Sequence, residues 1–276
     1  MRANSALYKH MLRDITLGQY YQTDSVIHRL DPRVKLSATI IYIISLFVVH
    51  GIWGYLLTAI FLAAMIKLSN VPFKFMIKGM KAIAFLLVLT VVFNLFLTPG
   101  DVVLQIWKIT ITKQGISIAL TMAVRLMLLI IGSSVMTLTT TPNNLTDGLE
   151  SLLGPLKKIK VPVHEISMMM SIALRFIPIL LEETDKIMKA QIARGADFES
   201  GNIIKKAKSL IPLLVPLFIS AFRRANDLAM AMEARCYKGG EGRTKMKPLI
   251  YKKRDFIAYL ILVLYLAVCI VMKIFL

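Results

Sequence analysis

Acidic residues are scarce. Only 16 Asp and Glu stand against 34 Lys and Arg, a formal net charge of +18. Charged side chains reach 18%, below the soluble norm of about 25%, while hydrophobic ones reach 57% against about 45–50%. Mean hydropathy is +0.67. No small core could hide so much apolar side chain, which argues against a soluble globular protein. An apolar chain this basic reads as a membrane protein with exposed cationic loops, not a nucleic-acid binder. Cysteine is almost absent: Cys236 and Cys269 lie far apart without metal-ligand spacing, so neither a disulfide framework nor a zinc site is indicated. The four histidines (His10, His28, His50 and His164) are scattered, and no His/Asp/Glu constellation suggests a membrane-embedded enzyme. No Gly-x-x-x-x-Gly-Lys-Ser/Thr phosphate loop occurs, and Gly239-Gly240-Glu241-Gly242-Arg243-Thr244 has the wrong spacing, so this chain is not expected to hydrolyse ATP. The first 35 residues lack an apolar h-region, and no cleavable signal peptide is expected.

What is present is a set of long apolar runs. A spanning helix needs about 20 mostly apolar residues. The stretch Leu36–Ile66 has 31 residues without Lys, Arg, Asp or Glu, and His50-Gly51-Ile52-Trp53-Gly54 in its middle reads as a turn. It is read as a hairpin of two short spans, with Lys35 and Lys67 marking both ends as cytoplasmic. Further spans are Ala82–Gly100, Ile116–Thr139 and Phe256–Met272, with Lys67, Lys74, Lys78 and Lys81 forming a cytoplasmic loop before the first of these. Arg125, inside an apolar run, is either a partnered interior residue or snorkels to the interface. The expected topology is N-terminus cytoplasmic, five spans, C-terminus outside. Before the first span, Asp31 can cap the helix and Pro32 suits its first turn.

Residues 142–254 differ in kind, carrying 20 Lys and Arg and 11 Asp and Glu. From His164 to Ala193, apolar Ile166, Met169, Met170, Ala173, Ile177, Leu180, Leu181 and Met188 alternate at helical spacing with Arg175, Glu182, Lys186 and Lys189. A second amphipathic helix begins near Ile203, with a stripe including Leu210, Leu214, Phe218, Ala221, Ala225, Leu228 and Met232. Arg223, Arg224 and Asp227 fall largely off that stripe, and Pro212 and Pro216 should bend the first half. A shorter amphipathic piece, Leu145–Ile159, precedes both. Such helices, tethered to spans and rich in Lys, belong at the cytoplasmic membrane surface. The fold class is therefore an all-α membrane protein: about five transmembrane helices plus a cytoplasmic or interfacial domain of long amphipathic helices. Residues 1–141 hold the first four spans, 142–254 the amphipathic domain and 255–276 the last span.

Both long helices finish alike, as Ala193-Arg194-Gly195 and Ala234-Arg235-Cys236, with the arginines 41 residues apart. Either ending alone is a plain cationic helix terminus. Two matched copies suggest more. A small Ala lets a helix end approach another backbone, the guanidinium can pair bidentately with a carboxylate, and the two ends could enter equivalent grooves on two related subunits.

The chain resembles the transmembrane T component of energy-coupling factor transporters, part of a CbiQ-like superfamily. The resemblance rests on Gly18-Gln19-Tyr20-Tyr21, Ile27 to Leu36, Ser171-Ile172-Ala173-Leu174-Arg175-Phe176-Ile177-Pro178, both Ala-Arg motifs, and Glu233 to Tyr237 with Gly242-Arg243-Thr244. It implies a multi-pass protein of the bacterial cell membrane, with no cofactor of its own, that couples ATP hydrolysis to vitamin or micronutrient uptake. The implied partners are two ABC-type ATPase subunits holding ATP and Mg, and one or several interchangeable membrane-embedded S components that bind substrate. Ala193-Arg194-Gly195 would engage one ATPase and Ala234-Arg235-Cys236 the other, although Cys236 stands where the family pattern often has Gly. Methionine-rich surfaces suit interchangeable partners, so Met169, Met170, Ala173, Ile177, Leu214 and Phe218 are candidates for docking the S component. The competing reading is an insertase-like membrane protein working without ATPase subunits, in which the Ala-Arg pairs are only helix caps.

Overall fold

The computed structural model describes residues 20–49, 51–106, 109–198, 202–240 and 246–275. Among these residues the helices are α1 (Pro32–Val48), α2 (Gly51–Ser69), α3 (Phe73–Leu97), α4 (Lys113–Thr139), α5 (Pro142–Leu152), α6 (Val163–Ala193), α7 (Ile203–Ser209), α8 (Ile211–Ala234) and α9 (Lys253–Phe275). A 3₁₀ segment, Gly154–Ile159, follows α5. An antiparallel hairpin, β1 (Val102–Ile106) and β2 (Ile109–Thr112), joins α3 to α4. The molecule divides into two compact units. One is Gly18–Leu152 with Pro248–Leu276, here called the membrane unit, and the other contains Leu153–Lys247.

Several boundaries depart from the sequence reading. The turn between α1 and α2 is shorter than the predicted 50–54, because Gly51 already begins α2 with φ +75° and Trp53 and Gly54 are helical. His50 lies outside the described residues. Gly54 is needed there: a Cβ would come within 2.2 Å of Val49 Cγ1. α3 begins at Phe73, so Lys74, Lys78 and Lys81 belong to its opening turns and not to a loop. The hairpin was unforeseen, yet its β-branched run (Val102, Val103, Ile106, Ile109–Thr112) suits strands. Apart from it the secondary structure of the described residues is helical. The amphipathic piece Leu145–Ile159 is two elements, and its α5 half packs on α1.

By length and composition alone, α2, α4, α6 and α9 can cross a membrane, and Ile83–Leu97 of α3 is a shorter apolar helix. α1 has 17 residues, about 25 Å at 1.5 Å per residue, against a hydrocarbon layer of about 30 Å. α6 was read as a surface helix. It meets the length and composition test, but Glu182, Glu183, Asp185, Lys186 and Lys189 crowd its second half.

The membrane unit is built around Tyr42, Leu46, Tyr55, Leu62, Leu128, Val135, Tyr265 and Cys269. Phe61 stacks on Tyr265 with ring centroids 4.1 Å apart. Gly132 makes room for Tyr42, whose ring would lie 2.3 Å from an added Cβ. Polar groups in an apolar setting need internal partners. Tyr42 donates to the Leu128 carbonyl at 3.2 Å, and the Ser45 and Tyr265 hydroxyls pair at 2.8 Å. Arg125 takes the interior alternative, donating from Nε and Nη2 to the Tyr55 hydroxyl at 3.0 and 2.7 Å.

The segment read as a helix start also joins the two ends of the unit. Asp31 caps α1 by accepting the Arg33 N–H at 2.9 Å, and Arg33 returns with Nε and Nη2 to the same carboxylate at 3.0 and 2.9 Å. Burial opposes the charge on Asp31, but these bonds and the guanidinium hold its pKa below the ordinary carboxylate value. The Arg33 guanidinium lies 3.7 Å above the Tyr251 ring. Asp255, only 1% exposed, accepts the Asp31 N–H at 2.9 Å and the Lys252 N–H at 2.7 Å. Lys35, read as a flanking topology signal, is buried and donates to the carbonyls of Thr139 at 2.8 Å and His28 at 3.1 Å.

Candidate functional site

The second unit is organised by α6 and α8. Gln191, near the end of α6, donates to the carbonyl of Pro212, near the start of α8, at 3.3 Å, so the helices run antiparallel. Arg224 of α8 donates to Glu183 of α6 at 2.6 Å. Arg224 was placed off the packed stripe, whereas it sits on the less exposed face with Leu213, Leu217, Ala221 and Leu228. The bend expected at Pro212 and Pro216 is a one-residue interruption at Leu210, after which Pro212 occupies the first turn of α8, where its missing N–H costs nothing, and Pro216 stays inside α8.

The two helix ends share one hydrogen-bond pattern. After α6, Arg194 is the C-cap, Gly195 has φ +89°, the Gly195 N–H reaches Ile192 O at 3.0 Å and the Ala196 N–H reaches Gln191 O at 2.9 Å. After α8, Arg235 is the C-cap, Cys236 has φ +57°, its N–H reaches Glu233 O at 2.8 Å and the Tyr237 N–H reaches Met232 O at 3.0 Å. Both are Schellman stops with a left-handed residue after the cap. Cys236 therefore adopts the conformation that Gly195 adopts without strain, which answers the question its side chain raised. Ala193, Arg194, Gly195, Ala234, Arg235 and Cys236 are all exposed. Neither guanidinium has an ion pair with another described residue.

Glu183 and Arg224 are also separated by 41 residues, the same offset as Arg194 and Arg235. Each lies 11 residues before the arginine of its own motif. This ion pair therefore joins positions that stand at the same offset as the two motif arginines. At about 1.5 Å per residue, each Ala-Arg end lies about 16 Å along its own antiparallel helix from that contact. The pair was missed in the sequence, although its 41-residue offset was a signal that could have found it.

The docking candidates fall on outward faces. Met169, Met170, Ala173, Leu214 and Phe218 are exposed, Met169 to 57% and Phe218 to 64%, and Ile177 is half-buried. The stripe read on α8 is thus divided: Leu214 and Phe218 face outward with Ile211 and Phe222, while Ala221, Leu228 and Met232 are less exposed. Phe218 and Phe222 pack together with centroids 4.9 Å apart. Of the stretches that carried the resemblance, Gly18-Gln19 and Gly242-Arg243-Thr244 lie outside the described residues.

Residues 23–246 match the family model CbiQ, described as "Cobalt transport protein". The chain is 54% identical over 263 residues to "Energy-coupling factor transporter transmembrane protein EcfT" of Ruminiclostridium cellulolyticum, covering 95% of this chain and 98% of that protein. It is 58% identical over 252 residues to the protein of that name from Clostridium kluyveri, covering 91% and 93%. With the Bacillus subtilis protein of that name it shares 46% over 246 residues, covering 89% and 93%. The chain belongs to the CbiQ family, among the transmembrane proteins of energy-coupling factor transporters.

Proposed function

We propose that this family member is the scaffold through which two ABC-type ATPase subunits, holding ATP and Mg, drive uptake of a vitamin or other micronutrient bound by a membrane-embedded S component. The observation that carries the reading is the paired helix stop. Two exposed Ala-Arg ends share one hydrogen-bond pattern at a 41-residue offset, and an ion pair between α6 and α8 repeats that offset. A duplicated end suits a duplicated receiver. The small Ala lets the helix end enter a groove, and the capping Arg supplies a planar fork for a carboxylate within it. Ala193-Arg194-Gly195 meets one ATPase and Ala234-Arg235-Cys236 the other, on the cytoplasmic side of a bacterial cell membrane, where the N-terminus also lies.

Closure of the ATPase pair upon ATP binding draws the two ends together and turns α6 against α8 about the Glu183–Arg224 contact. The outward apolar faces, with Met169, Met170, Ala173 and Ile177 on α6 and Leu214 and Phe218 on α8, then shift beneath the S component. That shift tips the S component so that it releases substrate inward. Chemistry stays on the ATPases; this chain transmits displacement.

The test is ATP-driven uptake into vesicles carrying the whole complex. Arg194→Ala with Arg235→Ala should abolish uptake while the membrane unit keeps its thermal midpoint, and full retention of uptake would overturn the proposal. Charge reversal probes the pivot: Glu183→Arg should lower uptake severalfold, and adding Arg224→Glu should restore most of it. Absence of rescue would reduce that pair to a solvated contact.

A further inference from the structure

Within the membrane unit, α1, α2, α4 and α9 leave a cavity of about 280 Å³. Its walls are hydrocarbon, among them Val34, Phe61, Leu62, Val135, Ile261 and Leu262, and its cationic side chains are Lys35 and Arg254. Beside it opens a second, polar recess lined by Asp24, Ser25, Arg29, Lys67, Asn70 and Arg254, and the two share Val26, Leu68 and Arg254 in their walls. Asp24 is already engaged by Arg29. Lys67 and Arg254 have no ion pair among the described residues, and both line the recess. Lys35 spends two of its three protons on the His28 and Thr139 carbonyls. A phosphate oxygen is the acceptor that a guanidinium fork fits best.

We infer that this site holds one anionic phospholipid, one of its acyl chains in the apolar cavity, the other in the surrounding bilayer, and its phosphate between Arg254 and Lys67. A free anion would leave the apolar cavity unused, and a zwitterionic lipid would bring a second cation into a recess that already holds two unpaired ones. The ligand comes from the leaflet facing the basic loops, where anionic headgroups attract Lys and Arg. The inference needs only the membrane setting and stands apart from the coupling proposal.

The experiment is native mass spectrometry of the full chain with its co-purifying partners, released from bilayer discs of mixed phosphatidylglycerol and phosphatidylcholine. One phosphatidylglycerol should be retained per chain. Retention should fall about fivefold in Arg254→Gln and again by about fivefold when Lys67→Gln is added, the effect of each surface cation on anionic lipid. Arg254→Lys, which keeps the charge but loses the fork, should fall between wild type and Arg254→Gln, and so separates lost binding from lost folding. Ala258→Leu, which fills the cavity and leaves every charge in place, should also reduce retention. Equal retention of phosphatidylcholine, unchanged retention in Ala258→Leu, or displacement of the lipid by millimolar inorganic phosphate would each overturn the inference.

Discussion

The two units bury their residues very differently. Among the described residues, the unit containing Leu153–Lys247 has only Val163, Ser167 and Leu213 buried, whereas the membrane unit has a connected core of aromatic and aliphatic side chains crossed by hydrogen-bonded polar groups. The membrane unit can therefore hold its shape from its own contacts. The α6–α8 pair is held by local helix rules, the Glu183–Arg224 pair and the Gln191–Pro212 bond, and it leaves Phe218, Phe222 and Met169 uncovered. A part that must transmit movement gains from this, since elements with few buried contacts are those that rearrange at low cost.

That contrast can be broken most sharply at Asp255. Asp255→Ala leaves the Asp31 and Lys252 N–H groups without their acceptor, at about 1–3 kcal/mol for the buried Asp31 donor, and should lower the thermal midpoint of the purified chain in detergent by the largest margin. A shift no larger than that of a surface substitution would mean the two chain ends are not tied through this carboxylate. Next comes packing. Gly132→Ala drives a methyl into the Tyr42 ring and should cost about 1–3 kcal/mol, while Leu214→Ala on the uncovered face should stay within about 0.5 kcal/mol. Similar losses at the two positions would show that α8 is covered as well as α4. The smallest effect compares the two helix stops with each other. No atom lies within 4 Å of a Cβ built on Gly195, so Gly195→Ala should lose about 1 kcal/mol from backbone conformation alone, and Cys236→Gly should gain a similar amount. Hydrogen exchange at the Ala196 and Tyr237 amides reads this locally. Opposite signs sharpen the match between the stops, and equal signs break it.

Much of the helical layout was legible because apolar runs and charged flanks follow directly from the cost of burying charge in hydrocarbon. The matched Ala-Arg endings were visible for a related reason: a helix terminus is written in a few consecutive residues. The start of α3 was misplaced because Lys74, Lys78 and Lys81 resemble a loop when only charge is counted, although a helix carries long cationic side chains readily in its opening turns. The packed face of α8 was assigned partly to the wrong side. Helical periodicity identifies an apolar stripe but not what covers it, so Leu214 and Phe218 were grouped with residues that turn the other way.

By itself the sequence determined the chain's class, its long helices and the repeated helix stop, all consequences of composition and local periodicity. Tertiary structure alone decided that Asp255 receives the Asp31 N–H from 224 residues away, that Arg125 finds Tyr55, and that Glu183 and Arg224 meet between two helices. The physical reason is one of range: helix formation and capping act over a few residues, but a buried carboxylate or guanidinium is stable only with a specific partner that packing must deliver.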